Sequence, residues 1–165
     1  MDLTADRLRE FLHYEPETGV FTWKVSRRGK TRIGAIAGLS QDGRGYRRII
    51  IDNKQHYEHR LVWLYVHGKW PSGQIDHANG DRADNRLCNL RLATHSENMC
   101  NSRMRYHNQA GLKGASWHQE SGKWQARIRK DGVVTSLGYF STPEEAHAAY
   151  VAAASKKHGK FARAA

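Results

Sequence analysis

Short apolar stretches separated by turn signals run through the first 55 residues. Thr4 or Asp2 can cap a short helix that Pro16 and the turn after it end. Residues 20–25 alternate apolar with polar side chains, as a half-buried strand does, and residues 46–52 form a second strand candidate. The pattern predicts a small sheet at this end of the chain.

The longest apolar run is at residues 59–67, and its apolar positions recur at helical spacing. Residues 74–77 then predict a short strand and residues 90–92 its partner, with an Asn-Gly turn signal between them. A helix is expected to begin at Thr94, because the glutamate three residues later completes a capping box, and to run to about residue 104. The predicted order is strand, loop, strand, helix.

The last third of the chain predicts three strands followed by a helix. The strand candidates are residues 113–118, 123–129 and 133–137, separated by Gly-containing turns. Thr142 caps the helix, which has a proline at its first position and extends to about residue 157. Alternation in the second strand gives the sheet one apolar face, which the helix covers, and one basic face.

These patterns indicate an α+β protein. We expect a small basic β region at 1–55, a strand–loop–strand–helix core at 56–105, a connector at 106–110, and at 111–165 a three-stranded antiparallel sheet packed on one helix.

Charge adds a polyanionic partner to this picture. Lys and Arg total 27 against 16 Asp and Glu, a formal net charge of +11. Nucleic acid is the commonest partner of such a field. The ranges 1–55, 56–109 and 110–165 carry net charges of +4, +2 and +5, so the flanks are more basic than the middle. This distribution suits a catalytic centre between two DNA-gripping arms.

The two cysteines, Cys88 and Cys100, make neither a disulfide framework nor a paired-cysteine zinc motif, and we expect both to be buried thiols in a reducing compartment. The chain starts without a signal pattern and has no apolar run of membrane-spanning length. We therefore expect an intracellular protein with no membrane partner, not a secreted one.

Candidate chemistry is concentrated in the middle segment. Asp76 and Asn98 offer an anionic and a neutral oxygen, which suit one Mg²⁺ or Mn²⁺ ion. His77 can take a proton from water near neutral pH. Asn89 can accept a hydrogen bond from the other imidazole nitrogen or hold the loop. Neighbouring strand side chains point to opposite faces, so Asp76 and His77 need a twist or bulge to share a site. Singly, each residue has an ordinary structural explanation, as a turn, loop or helix-surface residue.

The residues also match a family. Asp76-His77, Asn85-Arg86, Asn89-Leu90-Arg91 and Glu97-Asn98, with His59-Arg60-Leu61-Val62-Trp63 upstream, resemble the HNH endonucleases with the ββα-metal fold, in the phage and intron homing branch. The resemblance covers about residues 56–105. It implies His77 as general base, Asn89 as the orienting residue and Asp76 with Asn98 as ligands of one divalent metal, with no zinc. Asparagine replaces the metal-binding histidine of many members, which makes this an H-N-N variant.

About residues 110–163 resemble the APETALA2-type DNA-binding domain of plant ethylene-response factors, which is also found attached to phage HNH nucleases. The resemblance is carried by Gly114, Trp117, Trp124-Gln125-Ala126-Arg127-Ile128, Leu137-Gly138-Tyr139-Phe140, Glu145-Ala146, Ala148-Ala149-Tyr150 and His158-Gly159. It implies that the sheet enters the major groove. Val134 and Ser136 stand where plant members carry Arg and Trp, so the base specificity of those factors does not transfer.

The leading hypothesis is a metal-dependent endonuclease that hydrolyses phosphodiester bonds in double-stranded DNA, acting in the cytoplasm of a bacterial or phage-infected cell as a monomer or weak homodimer without a small-molecule cofactor. The expected DNA contacts are Arg27, Arg28, Lys30, Arg32, Arg47, Arg48, Arg86, Arg91, Lys113, Ser116, His118, Lys123, Gln125, Arg127 and Arg129. Two alternatives are a DNA-binding regulator with a relic nuclease fold and a structure-specific RNA or junction binder.

Overall fold

The computed structural model of the chain describes residues 2–26, 31–102 and 110–163. Arg27, Arg28 and Lys30 lie outside the described residues. The chain divides into two compact units, Met1–Leu92 and Ala93–Ala165. None of the helices in these described ranges has the length and apolar character needed to cross a membrane.

The described residues of the first unit form two α-helices, three two-stranded sheets and a short 3-10 helix, Leu87–Asn89. Its elements, in chain order, are α1 Ala5–Phe11, β1 Leu12–Glu15, β2 Val20–Trp23, β3 Arg48–Ile51, β4 Lys54–Tyr57, α2 Glu58–His67, β5 Gln74–His77 and β6 Leu90–Ala93, whose last residue falls in the second unit. Strand β1 pairs with β2, β3 with β4, and β5 with β6.

One hydrophobic core serves the whole first unit. It joins the N-terminal hairpins and helices to the β5–β6 pair through buried side chains that include Leu8, Phe21, Ile51, Leu61 and Leu90. Helix α2 is buried along its apolar face and ends at a glycine in the left-handed conformation, as an αL cap requires. The hairpins of the first 55 residues therefore pack in the same core as the strand that carries Asp76 and His77.

Gly19 brings the β1–β2 turn against the later loop of the same unit. Its φ is +72°, and a Cβ at this position would collide with the backbone of Asn85 and Arg86. Only glycine combines this dihedral with such a close approach. The N-terminal hairpin thus supports the segment between β5 and β6.

The second unit contains a three-stranded antiparallel sheet packed on a long helix. Its elements are α3 His95–Cys100, β7 Ala115–His118, β8 Lys123–Lys130, β9 Val133–Phe140 and α4 Pro143–His158. Alanines and Tyr150 of α4 lie against Ala115, Ala126 and Ile128 of the sheet. Small side chains let the helix approach closely, and a side chain at Gly114 would overlap the ring of Tyr150.

The predicted α+β architecture is confirmed, including the C-terminal sheet on its helix. The capping boxes at Thr94 and Thr142 are present. Several predictions are wrong. Helix α1 ends at Phe11, well before Pro16, because Leu12–Glu15 pair with β2 as a strand, and β9 extends to Phe140 rather than to residue 137. Helix α3 ends at Cys100 rather than near residue 104, and Cys88 is exposed rather than buried. The short strands β1 and β4 were not predicted. Strand β1 alternates buried with exposed residues over only four positions directly after α1, and β4 has no apolar alternation.

Candidate active site

The β5–β6 pair and its loop hold the central candidate residues. The backbone N–H of Ala78 donates to the carbonyl of Asn89 (2.9 Å), and that of Gly80 donates to the carbonyl of His77 (2.8 Å). The Asn89 side chain accepts from the backbone N–H of Asn79 (2.9 Å) and donates to the carbonyl of Asp84 (2.8 Å). Its contacts therefore close the loop between the strands.

His77 is nearly buried at the end of β5. Ile75, Asp76 and His77 are exposed by only 5%, 4% and 3% as whole residues, so the strand presents no solvent face here. The His77 ring lies with its centroid 5.9 Å from that of Tyr46 and 5.2 Å from that of His59. Burial lowers the pKa of His77 against the opposing effects of a hydrogen bond to Asn85 and of nearby carboxylates. A lowered pKa favours the neutral imidazole, the form that accepts a proton.

Asp76 forms a buried ion pair with the neighbouring strand. Its Oδ2 accepts from Nε (2.8 Å) and pairs with Nη2 (2.7 Å) of Arg91, whose side chain is 19% exposed. Burying a charged carboxylate costs free energy unless it is paired, and the Arg91 guanidinium provides that pair. Arg91, expected to contact DNA, is thus engaged with the candidate metal ligand.

A second buried group lies beside the imidazole. Asn85 is 1% exposed and Glu58 is fully buried. The Asn85 amide links Glu58 to His77. Its Nδ2 donates to Oε2 of Glu58 (3.0 Å), and its Oδ1 lies 3.2 Å from Nε2 of His77. Burial raises the pKa of Glu58 to about 7, although the positive charge of Arg47 opposes the rise.

Sequence reasoning gave neither Glu58 nor Asn85 a role in catalysis. The available signal was a carboxylate at the start of the longest apolar run. The neighbouring His59 is also buried, and burial lowers its pKa to about 3.

Asn98, the other proposed metal ligand, lies in helix α3 of the second unit and is partly exposed. Its pairing with Asp76 stays a prediction. Across the described ranges there is no group of three or more His, Cys, Asp or Glu side chains able to hold a metal ion. A site built on one carboxylate and one amide does not need such a group, and both are hard oxygen donors.

The other predicted DNA contacts in the first unit differ in exposure. Arg32 is exposed, whereas Arg47 and Arg48 are partly buried. Arg86 is held by Asp84, with Nε–Oδ1 at 2.8 Å and Nη2–Oδ2 at 2.6 Å. This hydrogen-bonded pair lowers the pKa of Asp84 to about 2.

In the second unit the candidates fall into two groups. Arg127, Arg129 and Lys123 are exposed along β8. The remaining three on the sheet contact neighbours: Ser116 lies 3.5 Å from Nη2 of Arg127, Nδ1 of His118 lies 3.0 Å from Oγ of Ser121, and the largely buried Gln125 donates to the Tyr139 hydroxyl (3.1 Å).

Lys113 stands apart from these, because its ammonium donates to the carbonyls of Cys100 (2.9 Å) and Ser102 (2.8 Å) at the end of α3. Burial lowers its pKa. Its predicted role in DNA binding stays a prediction.

Comparison with known proteins gives three findings. A family model described as HNH endonuclease matches residues 56–100. Protein 3.8 of Escherichia phage T7 is 38% identical over 84 residues, which cover 48% of this chain and 69% of that protein. An uncharacterised HNH endonuclease of Acanthamoeba polyphaga mimivirus is 30% identical over 106 residues, 63% of this chain and 54% of its own length. No solved structure matches.

Proposed function

Because the chain belongs to the HNH endonuclease family, we propose that it is a metal-dependent endonuclease that hydrolyses phosphodiester bonds in double-stranded DNA. Family membership suggests nuclease activity on DNA. The observation that carries the proposal is a hydrogen-bonded imidazole, with its pKa lowered by burial, directly next to a buried carboxylate within the matched segment.

In this proposal His77 accepts the proton of the attacking water. Its neutral form is the competent one, and burial favours that form near pH 7. Asn89 keeps the loop closed through two backbone contacts, so the strand that carries His77 has a fixed partner. The imidazole is only 3% exposed, so the phosphate has to approach its small accessible part.

HNH nucleases typically use a divalent metal. Asp76 and Asn98 are the residues that would hold it, and their oxygen donors suit Mg²⁺ or Mn²⁺. When bound, such an ion supplies neutralisation of phosphate charge and stabilisation of the leaving oxygen. Arg91 holds one Asp76 oxygen and thereby fixes the carboxylate in one orientation.

The basic flanks are proposed to bring duplex DNA to this site. Exposed Arg127 and Arg129 lie on the central strand of the C-terminal sheet, in line with the APETALA2-type resemblance. Arginine serves both phosphate and guanine recognition. Arg32 is the exposed candidate of the first unit. The H-N-N variant, the homing branch, a cytoplasmic location and a monomeric or weakly dimeric state belong to the same proposal.

One observation favours a second candidate function. His77 is nearly buried and Asp76 is neutralised by Arg91, which is also what a retained but inactive fold would show. Under this alternative the protein is a transcription regulator that binds DNA without cleaving it.

Supercoiled plasmid separates the two functions. Wild-type protein with Mg²⁺ or Mn²⁺ is expected to nick or linearise the plasmid, and EDTA to stop it. His77→Ala should lose cleavage by at least about 100-fold and keep DNA binding, while His13→Ala, which removes an exposed histidine of the same unit, should cut normally. Binding without breaks across several metals would support the regulator instead.

A further inference from the structure

Three buried polar side chains from distant parts of the sequence form one hydrogen-bonded chain in the first unit. Glu58 begins α2, His77 ends β5, and Asn85 lies in the loop before β6. They are 0%, 3% and 1% exposed. Burying three polar groups costs free energy unless each is hydrogen-bonded. The donor and acceptor of each hydrogen bond can therefore be worked out from its neighbours.

The surroundings of Asn85 fix which way its amide faces. Nδ2 donates to Oε2 of Glu58 (3.0 Å) and lies 3.4 Å from the carbonyl oxygen of Ala83. A backbone carbonyl can only accept, and Oε2 of Glu58 accepts whether the carboxyl is ionised or carries its proton on the other oxygen. The NH₂ group therefore belongs on this side, and the amide oxygen faces Nε2 of His77 at 3.2 Å.

An amide oxygen needs a donor opposite it. A neutral imidazole carries one N–H and one basic lone pair on its two nitrogens. Oδ1 of Asn85 therefore selects the proton on Nε2, and the basic lone pair is then on Nδ1. The choice matters for a base, because the wrong tautomer of a catalytic histidine lowers turnover severely.

We propose that Asn85 and Glu58 are positioning residues that hold His77 with its proton on Nε2, so that Nδ1 is the nitrogen that accepts a proton. The catalytic consequence rests on the proposed nuclease function, whereas the tautomer itself does not. Glu58 acts through Asn85, and Asn85 acts through His77. Asn89, whose side chain contacts the loop backbone, supports the hairpin separately.

The first experiment reads the tautomer directly. Long-range ¹H–¹⁵N NMR on the full-length ¹⁵N-labelled protein distinguishes protonated from unprotonated ring nitrogens, and the loss of signals in His77→Gln assigns the His77 ring. Wild type is expected to show a protonated Nε2 whose hydrogen exchanges slowly with water. A protonated Nδ1 with an unprotonated Nε2 would overturn the proposal, and this measurement needs no variant of Asn85 or Glu58.

A matched pair of variants separates positioning from mere stability. Asn85→Ala removes the amide, whereas Tyr14→Phe removes only the hydrogen bond from the Tyr14 hydroxyl to the backbone carbonyl of the same residue (2.8 Å). Asn85→Ala should speed exchange of the Nε2 hydrogen at least about tenfold and lower kcat about tenfold or more with KM for DNA unchanged. Tyr14→Phe should leave both unchanged, and equal effects of the two variants would contradict the proposal.

Glu58 is tested by rescue. Glu58→Leu removes the acceptor for Asn85 and is expected to lower kcat, whereas Glu58→Gln keeps an amide oxygen at that place and should restore most of it. Similar kcat values for both would remove Glu58 from the chain. If wild-type protein cuts no DNA with Mg²⁺ or Mn²⁺, the nuclease function fails while the NMR result still decides the tautomer. If it cuts with Nε2 unprotonated, the function stands and the positioning proposal fails.

Discussion

The two units bury polar side chains in different ways. Among the described residues, six buried polar or charged side chains lie in the first unit, namely Glu58, His59, Asp76, His77, Asn85 and Asn89, and three lie in the second, namely Asn101, Gln125 and His158. Hydrogen bonds join Glu58, Asn85 and His77, and the His59 ring lies against that of His77. The second unit relies on alanine packing between a helix and a sheet. Costly polar burial at one place indicates selection for chemistry, whereas close apolar packing indicates selection for a rigid surface.

The largest effect is expected from a substitution that disrupts the packing of the second unit. Gly114→Val should lower the free energy of unfolding by about 3 kcal/mol or more, because the side chain overlaps the Tyr150 ring and φ is +83°. Gly111→Val is the control, since its φ is also positive at +63° but no atom lies within 4 Å. It should cost only about 1 kcal/mol of backbone strain. Urea unfolding of the full chain measures both, and equal losses would refute the packing argument.

Two aspartate–arginine pairs in the first unit allow a sharp contrast. Asp76→Asn removes the buried carboxylate beside His77, and cleavage should fall at least about 100-fold, because the proposed metal ligand and the partner of Arg91 are lost together. Asp84→Asn weakens a pair in which Arg86 is 47% exposed. Plasmid cleavage by this variant should stay within about threefold of wild type. Comparable losses in the two variants would show that the Asp76 carboxylate has only a structural role.

The raised pKa of Glu58 makes the stability of the first unit depend on pH. Its pKa is about 7 in the folded protein against an ordinary value of 4.5, so folding favours the protonated form. The contribution of Glu58 to stability should be full below pH 4.5, decline as pH rises towards 7 and level off above it. Glu58→Gln should remove this decline and be more stable than wild type above pH 7 by roughly 3 kcal/mol. Thermal unfolding between pH 4.5 and 8 tests this, and parallel curves would contradict the raised pKa.

The smallest effect concerns the surface of the second unit. Arg127→Ala should weaken DNA binding by about 1 kcal/mol and reduce the salt slope of log K by about one, with cleavage at saturating DNA unchanged. Lys156→Ala, an exposed charge on α4 rather than on the sheet, is the control. Fluorescence anisotropy at several salt concentrations measures both. If Lys156→Ala gave the larger loss, DNA would contact the helix rather than the sheet.

Local patterns predicted most of the elements. Helix α2, strands β5 and β6, and the caps at Thr94 and Thr142 follow from periodicity and capping chemistry within a few residues of sequence. Helix α3 was predicted too long, because helix propensity alone does not mark its end at Cys100.

The candidate site was predictable only in part. Spacing brought out Asp76, His77, Asn89 and Asn98, and their roles stay predictions. The link from Glu58 to Asn85 joins residues 27 positions apart, and no local pattern reports such a contact. The ion pair of Arg91 with Asp76 likewise depends on strand pairing, so arginines expected to contact phosphate could not be separated from those that hold a carboxylate.

The lack of room for a side chain at Gly19 matters for attempts to retarget this protein. A designer who replaces the N-terminal hairpin with a DNA-recognition element keeps the distant loop intact only by retaining a residue without a side chain at this turn. Any larger residue there would push on the backbone that carries Asn85. Grafts that ignore this point are therefore expected to lose turnover even when they bind their new target well.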